Sequence, residues 1–391
     1  MSSDEIYIVA AKRTPIGSLL GQFSEIPAPI LGATAIKATI NESGLPPGNI
    51  NEVIMGCVLT AGIGQAPARQ AMIQAGIPLS TGATTVNKVC GSGMKALILA
   101  HDTIAAGSAE IIMAGGMESM SNAPHLLQIR PGIRLGDAIT YDHLTRDGID
   151  NYDGRSLGLF SEDCAGKYQF SRAQQDAYAT ESVRRSQHAQ SASLYNDEIA
   201  PVEIIQGEKP GIIAMDELPQ HADISRIPTM KPAFKPDGTI TPATASGFSD
   251  GAAAIMVASQ KAIEKHDLTP IARIVAHTTF SQEPEWFTTA PVGAIRLLLN
   301  KTGWTVPSVD LFEINEALAV VPLAAIEELD IPLEKLNVHG GACSLGHPIG
   351  ASGARIVVTL IHALRSRGLK KGIASLCIGG GEATAVAIEC L

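Results

Sequence analysis

The chain has no Cys-x-x-Cys pair: its six cysteines stand apart, at 57, 90, 164, 343, 377 and 390. That spacing excludes a zinc ribbon and a thioredoxin-type dithiol. A protein of 391 residues can bury a core large enough to fold without disulfides, so a reducing, intracellular compartment is the expectation. Basic residues are outnumbered, and the formal net charge of −10 argues against nucleic-acid binding or an anionic membrane surface. A phosphorylated cofactor would then need local cations or backbone N–H groups. Long hydrophobic runs are missing too. The apolar stretch 317–326 is too short to span a bilayer and contains Pro322. The first twelve residues carry Asp4 and Glu5 and do not resemble a signal or transit peptide. A soluble, cytoplasmic protein is expected.

What is present is a globular composition, 45% hydrophobic and 17% charged, with 38 glycines for tight turns and close backbone approaches. Short apolar runs at 6–9, 53–55, 84–89 and 110–114 predict strands. Helical patterns at 31–41, 67–75 and 93–106 lie between them, which implies a parallel sheet with helical cover. The same order then recurs, with strands at 271–276, 309–313, 373–378 and 383–389 and helices at 292–301, 316–329 and 350–367. Local matches support a repeat. Cys90-Gly-Ser-Gly93 opens a helix that leads to Ile111-Ile-Met-Ala-Gly-Gly116, and Gly350-Ala-Ser-Gly353 opens one that leads to Ser375-Leu-Cys-Ile-Gly-Gly380. Asp250–Val257 likewise echoes Glu382–Ile388. The chain is therefore read as α/β, a duplicated pair of halves with an insertion at about 117–249. The insertion is richer in polar residues and turns, and Ser171-Arg-Ala-Gln174 starts its clearest helix with a capping box.

Cys90 falls where a strand ends and a helix begins. Free N–H groups and the helix dipole there favour a thiolate, although a small buried hydrophobe fits the same position. His347, held by Pro348 and surrounded by glycine, suits a general base or an oxyanion donor, or a turn residue. Cys377 ends a strand beside three glycines whose N–H groups can form an anion nest, and it fits a buried strand cysteine as well. Asn315 fits a plain helix N-cap.

Together these segments resemble the thiolase family. The resemblance is carried by Asn87-Lys-Val-Cys90-Gly-Ser-Gly-Met-Lys-Ala96, Gly115-Gly-Met-Glu-Ser-Met-Ser-Asn-Ala-Pro-His125, Asn315-Glu-Ala317, Gly340-Gly-Ala342, Gly346-His-Pro-Ile-Gly-Ala-Ser-Gly-Ala-Arg355 and Cys377-Ile-Gly-Gly-Gly381. These fall in family order, from Arg13-Thr-Pro-Ile-Gly17 to the C-terminus. The resemblance implies a thiolase fold: duplicated βαβαβαββ halves in a five-layered α-β-α-β-α core, with an inserted loop domain. Residues 1–116 plus 250–270 would form the first half, 117–249 the loop domain and 271–391 the second half.

It further implies ping-pong acyl transfer between acyl-CoA molecules, with coenzyme A and acyl-CoA as substrates and neither prosthetic group nor metal. Cys90 would carry the acyl group, His347 would accept its proton, and Cys377 would take the α-proton of the second acyl-CoA. His347 and a water held by Asn315 would stabilise the enolate. The N–H groups of Cys90 and Gly379 would form a second oxyanion hole. Ser246, Phe234, Leu157 and Ala317 would contact the cofactor, and residues 125–150 resemble a tetramerisation loop, so a homotetramer (a dimer of dimers) is expected.

Departures gather around the substrate. Ser156-Leu-Gly158 stands for His-Met-Gly, Leu318 for the Phe after Asn-Glu-Ala, Phe287-Thr-Thr-Ala-Pro291 for Met-Gly-x-Gly-Pro, Thr244 for Asn and Gln220 for Arg. These bear on acyl preference and cofactor grip. Alternatives are a degradative 3-ketoacyl-CoA thiolase and a catalytically silent scaffold subunit. A decarboxylating condensing enzyme, which uses paired histidines, is disfavoured by the intact Cys377 motif.

Overall fold

In the computed structural model, residues 5–149, 154–206 and 209–391 are described. Residues 1–4, at the start of the expected first half, and Asp150, at the end of the expected tetramerisation segment, lie outside them. The principal strands are β1 (Ile6–Arg13), β2 (Glu52–Gly56), β3 (Gly82–Val86), β4 (Ile111–Ser119), β5 (Ser249–Ser259), β6 (Ala272–Ser281), β7 (Leu311–Ile314), β8 (Lys371–Ile378) and β9 (Glu382–Cys390). The principal helices are α1 (Ala28–Ser43), α2 (Pro67–Gln74), α3 (Ser92–Ala105), α4 (Leu157–Tyr168), α5 (Arg172–Ser191), α6 (Ala290–Thr302), α7 (Val320–Leu329) and α8 (Ile349–Ser366).

Each half has the same strand order. The first runs β3-β2-β4-β5-β1, and the second runs β7-β8-β9-β6, with a parallel bridge from Phe312 to Leu336 outside β7 in the place that β3 takes in the first. The sheet is mixed rather than parallel. Among the principal strands described, only β3-β2-β4 and β7-β8 pair in parallel, because β9 returns from β8 through the tight turn 379–381 and β5 returns from the insertion to lie antiparallel to β4. Gly380 and Gly381 have φ of 93° and 88°, which only glycine adopts without strain. The half-sheets join along β1 and β6, where Tyr7 faces Arg273 and Ile8 faces Ala272.

Three apolar clusters separate five layers. One lies under α1 and α2, one under α6 and α7, and the largest lies between the half-sheets around α3 and α8. Placement in that middle layer explains why every residue from Ile349 to Leu364 is buried. The two middle helices touch backbone to backbone at their glycines. A Cβ on Gly353 would sit 2.5 Å from the Met94 nitrogen, and one on Gly93 would sit 2.8 Å from the Ala354 nitrogen. This approach brings the two helix starts, and the residues before them, to one place.

The insertion is tied down through buried charge. Arg13 donates to Glu198 at 2.6 Å and to Asp216 at 2.8 and 3.0 Å, all fully enclosed. Losing one partner of such a group costs about 3–5 kcal/mol. The capping box expected at Ser171 is formed, and it starts α5. The helix expected from Glu316 starts only at Val320. Glu316 turns inward instead, accepting from Tyr178, Ser182, Asn337 and the Cys343 N–H at 2.7–3.0 Å. Those buried bonds outweigh helix propensity and keep 315–319 out of the helix. Among the described residues no helix is long and apolar enough to cross a membrane.

Candidate active site

Cys90 sits in a tight turn between β3 and α3. Val89 before it has φ of 47°, a left-handed conformation that is costly for a β-branched residue. The turn is held by bonds from Gly91 N–H to the Lys88 carbonyl (3.0 Å), Ser92 N–H to the Val89 carbonyl (3.1 Å) and Lys88 N–H to the Ser92 hydroxyl (2.8 Å). Lys88 also pairs with Glu382 of the second half. The N–H groups of Gly379 and of Cys90 itself both reach the Cys90 sulfur. They do not produce the lowered thiol pKa expected at a helix start. Burial dominates and pushes the Cys90 thiol up to about 11, with the buried Glu118 adding to the rise.

His347 precedes α8 as Cys90 precedes α3. Its N–H donates to the Gly247 carbonyl at 2.9 Å, and its Nδ1 lies 2.6 Å from the Ser352 hydroxyl. That hydroxyl has one hydrogen, which it donates to the Pro348 carbonyl at 3.0 Å. Nδ1 then carries the ring proton and Nε2 is a free lone pair. Nε2 is buried with no hydrogen-bond partner among the described residues. Burial, then the charge of Arg355, pushes the imidazole down to about 3. Thiol and imidazole are both neutral near pH 7, for the same reason acting in opposite directions.

Cys377 closes β8, 1% exposed, its thiol raised well above the ordinary value by burial and then by Cys90. Asn315 stands behind His347, with Nδ2 3.5 Å from Nδ1, and its Oδ1 accepts from Arg355 at 3.4 Å.

Cys90, His347 and Cys377 face one cavity of about 400 Å³, and Ser246, Phe234, Leu157 and Ala317 line it as well. Asn315 and Gly379 are not among the residues lining it; Asn315 lies beside His347 and the Gly379 backbone beside Cys90. The end of the insertion lies antiparallel across 317–319, with Ser246 N–H donating to the Ala317 carbonyl (3.0 Å) and Ala319 N–H to the Thr244 carbonyl (2.8 Å). Phe234 packs over Gly158, where a Cβ would meet its ring at 2.2 Å. Of the departures, Ser156, Phe287 and Leu318 line the cavity. Thr244 is buried in a turn, accepting from Thr241 N–H at 2.8 Å, and Gln220 is exposed, donating to the Asp216 carbonyl.

Sequence reasoning missed Met120 and Ile349 on the cavity wall and gave no role to Ser352 or Glu118. Glu118 accepts from the N–H groups of Val58, Leu59 and Gly350 at 2.9–3.1 Å, so it anchors the start of α8. Burial pushes its carboxyl up to about 7. Its only sequence signal was an acidic residue inside an otherwise apolar strand.

Comparison with known proteins agrees with this architecture. Residues 6–261 match the family described as thiolase, N-terminal domain, and residues 268–390 match thiolase, C-terminal domain. An acetyl-CoA acetyltransferase from Chromobacterium violaceum is 48% identical over 98% of this chain and 99% of that protein. A cytosolic acetyl-CoA acetyltransferase from Mus musculus is 44% identical over 99% of this chain and 98% of its own. A thiolase from Ascaris suum, solved in complex with coenzyme A, superposes with a TM-score of 0.94 at 42% identity, covering 99% of this chain and all of that one. The chain belongs to the thiolase family.

Proposed function

We propose that the chain is an acetyl-CoA C-acetyltransferase that reversibly condenses two acetyl-CoA into acetoacetyl-CoA and free coenzyme A. The observation that carries this reading is the convergence of Cys90, Cys377 and the unpartnered Nε2 of His347 on one largely apolar cavity. The Cys90 sulfur attacks the thioester carbonyl as His347 Nε2 takes its proton, and the Cys377 thiol gives its own proton to the departing CoA thiolate. Because thiol and imidazole are both neutral at rest, transfer accompanies attack rather than preceding it. A second acetyl-CoA enters and the Cys377 thiolate so formed removes its α-proton. The enolate carbon attacks the acetyl carbonyl, and Cys90 leaves as thiolate and is reprotonated by the His347 imidazolium. His347 and a water held by Asn315 serve the enolate oxygen, and the N–H groups of Cys90 and Gly379 serve the tetrahedral oxyanion.

Ser246, Phe234, Leu157 and Ala317 hold coenzyme A as substrate, with no prosthetic group. The division into 1–116 plus 250–270, 117–249 and 271–391 follows from this reading, the middle segment covering the cofactor. Leu127, Ile129, Ile133, Leu135 and Ile139 are large apolar residues exposed along the 125–150 segment, which supports its use in a homotetramer. A cytoplasmic location fits the cytosolic mouse relative.

The test is thiolysis: purified protein with acetoacetyl-CoA and coenzyme A should consume the enolate absorbance, and Cys90→Ala should not. Inert wild-type protein, or full activity in Cys90→Ala, would overturn the reading.

A further inference from the structure

Away from the cavity, the last turn of α3 presents His101 and Asp102 to His277 in the middle of β6. The three candidate ligand atoms form a nearly equilateral triangle: His101 Nδ1 to Asp102 Oδ1 is 3.1 Å, His277 Nε2 to His101 Nδ1 is 3.2 Å, and His277 Nε2 to Asp102 Oδ1 is 2.9 Å. Tetrahedral zinc with bonds of about 2.0–2.1 Å sets neighbouring ligand atoms roughly 3.3 Å apart, so this triangle is close to one face of such a site.

Hydrogen bonding alone does not account for three short edges. With both ring nitrogens protonated, each donates to Asp102 and two N–H groups face one another. With one protonated, the other nitrogen turns its lone pair on the carboxylate. With neither, all three edges are repulsive. With Asp102 ionised, at least one edge is unfavourable in every one of these states, and a cation at the centre makes all three attractive.

Lys301 Nζ donates to the His277 carbonyl at 3.3 Å, on the backbone rather than the ring. The Asp102 side chain is 51% exposed, which leaves the fourth position open to water.

We propose that His101, Asp102 and His277 bind a zinc-class divalent cation, clamping the helix that follows Cys90 in the first half to the sheet of the second. The ligands lie 175 residues apart, which is why the sequence showed no ligand spacing. None of them lines the catalytic cavity, so the inference stands apart from the proposed function.

The experiment is calorimetric titration of chelator-treated full-length protein with zinc chloride, in the wild type and in His277→Gln, Asp102→Asn and Cys90→Ser. The expected result is one zinc per chain, weakened about 100-fold in His277→Gln and in Asp102→Asn and unchanged in Cys90→Ser. Saturating zinc should raise the wild-type Tm by about 3 °C and leave the two ligand variants unmoved. Thiolysis activity without zinc verifies that each ligand variant is folded, far-UV circular dichroism does so for Cys90→Ser, and the exposed Asp102→Asn serves alone if His277→Gln is not. Wild-type affinity in a folded ligand variant, loss of binding only in Cys90→Ser, or no saturable binding would overturn the proposal in favour of a hydrogen-bonded cluster only.

Discussion

In the first half the turn into α3 carries a thiol, and in the second the equivalent turn into α8 carries an imidazole. The two helices start side by side because Gly93 and Gly353 remove the side chains that would separate them. Burial then acts on both groups with opposite sign, raising Cys90 to about 11 and lowering His347 to about 3. The comparison shows how duplication builds a site. One topology supplies two helix starts at the crossing, and divergence places an acid before one and a base before the other. The strand ends differ in the same way. Near the end of β4, Gly116 lets the Gly350 carbonyl approach to 2.0 Å from where its own Cβ would be, whereas near the end of β8 stands the thiol of Cys377.

The sharpest way to break the symmetry is Cys377→Ala, which removes a base from one half and leaves the nucleophile in the other. Condensation should fall by about 10²–10⁴-fold in kcat while transfer of acetyl from acetyl-CoA onto the enzyme persists. Stopped-flow release of free coenzyme A, compared with steady-state turnover, checks this.

The second prediction concerns the buried imidazole. A histidine that titrates near 6.5 when unfolded but only near 3 when folded makes the unfolded state bind the extra proton. Stability at His347 is therefore intact above pH 6.5 and is lost as pH falls toward 3. Denaturant titrations between pH 6 and 4 should show the slope of unfolding free energy against pH reduced by about 1.4 kcal/mol per unit in His347→Asn. His339, pushed down to about 4 by burial, contributes in the same direction and remains in the variant.

The third prediction separates the helices. Gly353→Ala places a methyl against the Met94 backbone and should cost about 1–3 kcal/mol, read as a lower denaturation midpoint. Its activity per folded molecule should fall as well, because the crossing sets the distance between thiol and imidazole. The smallest effect is expected at the cavity mouth, where Phe234 is 37% exposed. Phe234→Ala should raise KM for coenzyme A about three- to tenfold with kcat little changed; steady-state thiolysis at varied coenzyme A is the check.

The repeat was legible because its marker is local: a Gly-x-Ser-Gly or Gly-Ser-Gly run before an apolar helix survives in both copies. The residues forming the site were legible for the same reason, since Cys90, His347 and Cys377 each stand at an element boundary beside glycine. What depended on distant partners was not. Nothing near Glu316 announces Tyr178, Ser182 and Asn337, so its helix start was misplaced. Nothing near Cys90 announces how deeply its sulfur is enclosed, so the direction of its pKa was misjudged. Mixed strand directions were hidden because a 130-residue insertion and a three-glycine turn both connect antiparallel neighbours, one by a long path and one by a short one.

The division of labour between the halves is tested most directly by mapping the acyl group. Cys377→Ala protein incubated with acetyl-CoA alone, then digested and analysed by mass spectrometry, should carry one acetyl group on the peptide containing Cys90. Acetyl on any other cysteine, or an unmodified chain, would contradict the assignment of Cys90 as the acyl carrier.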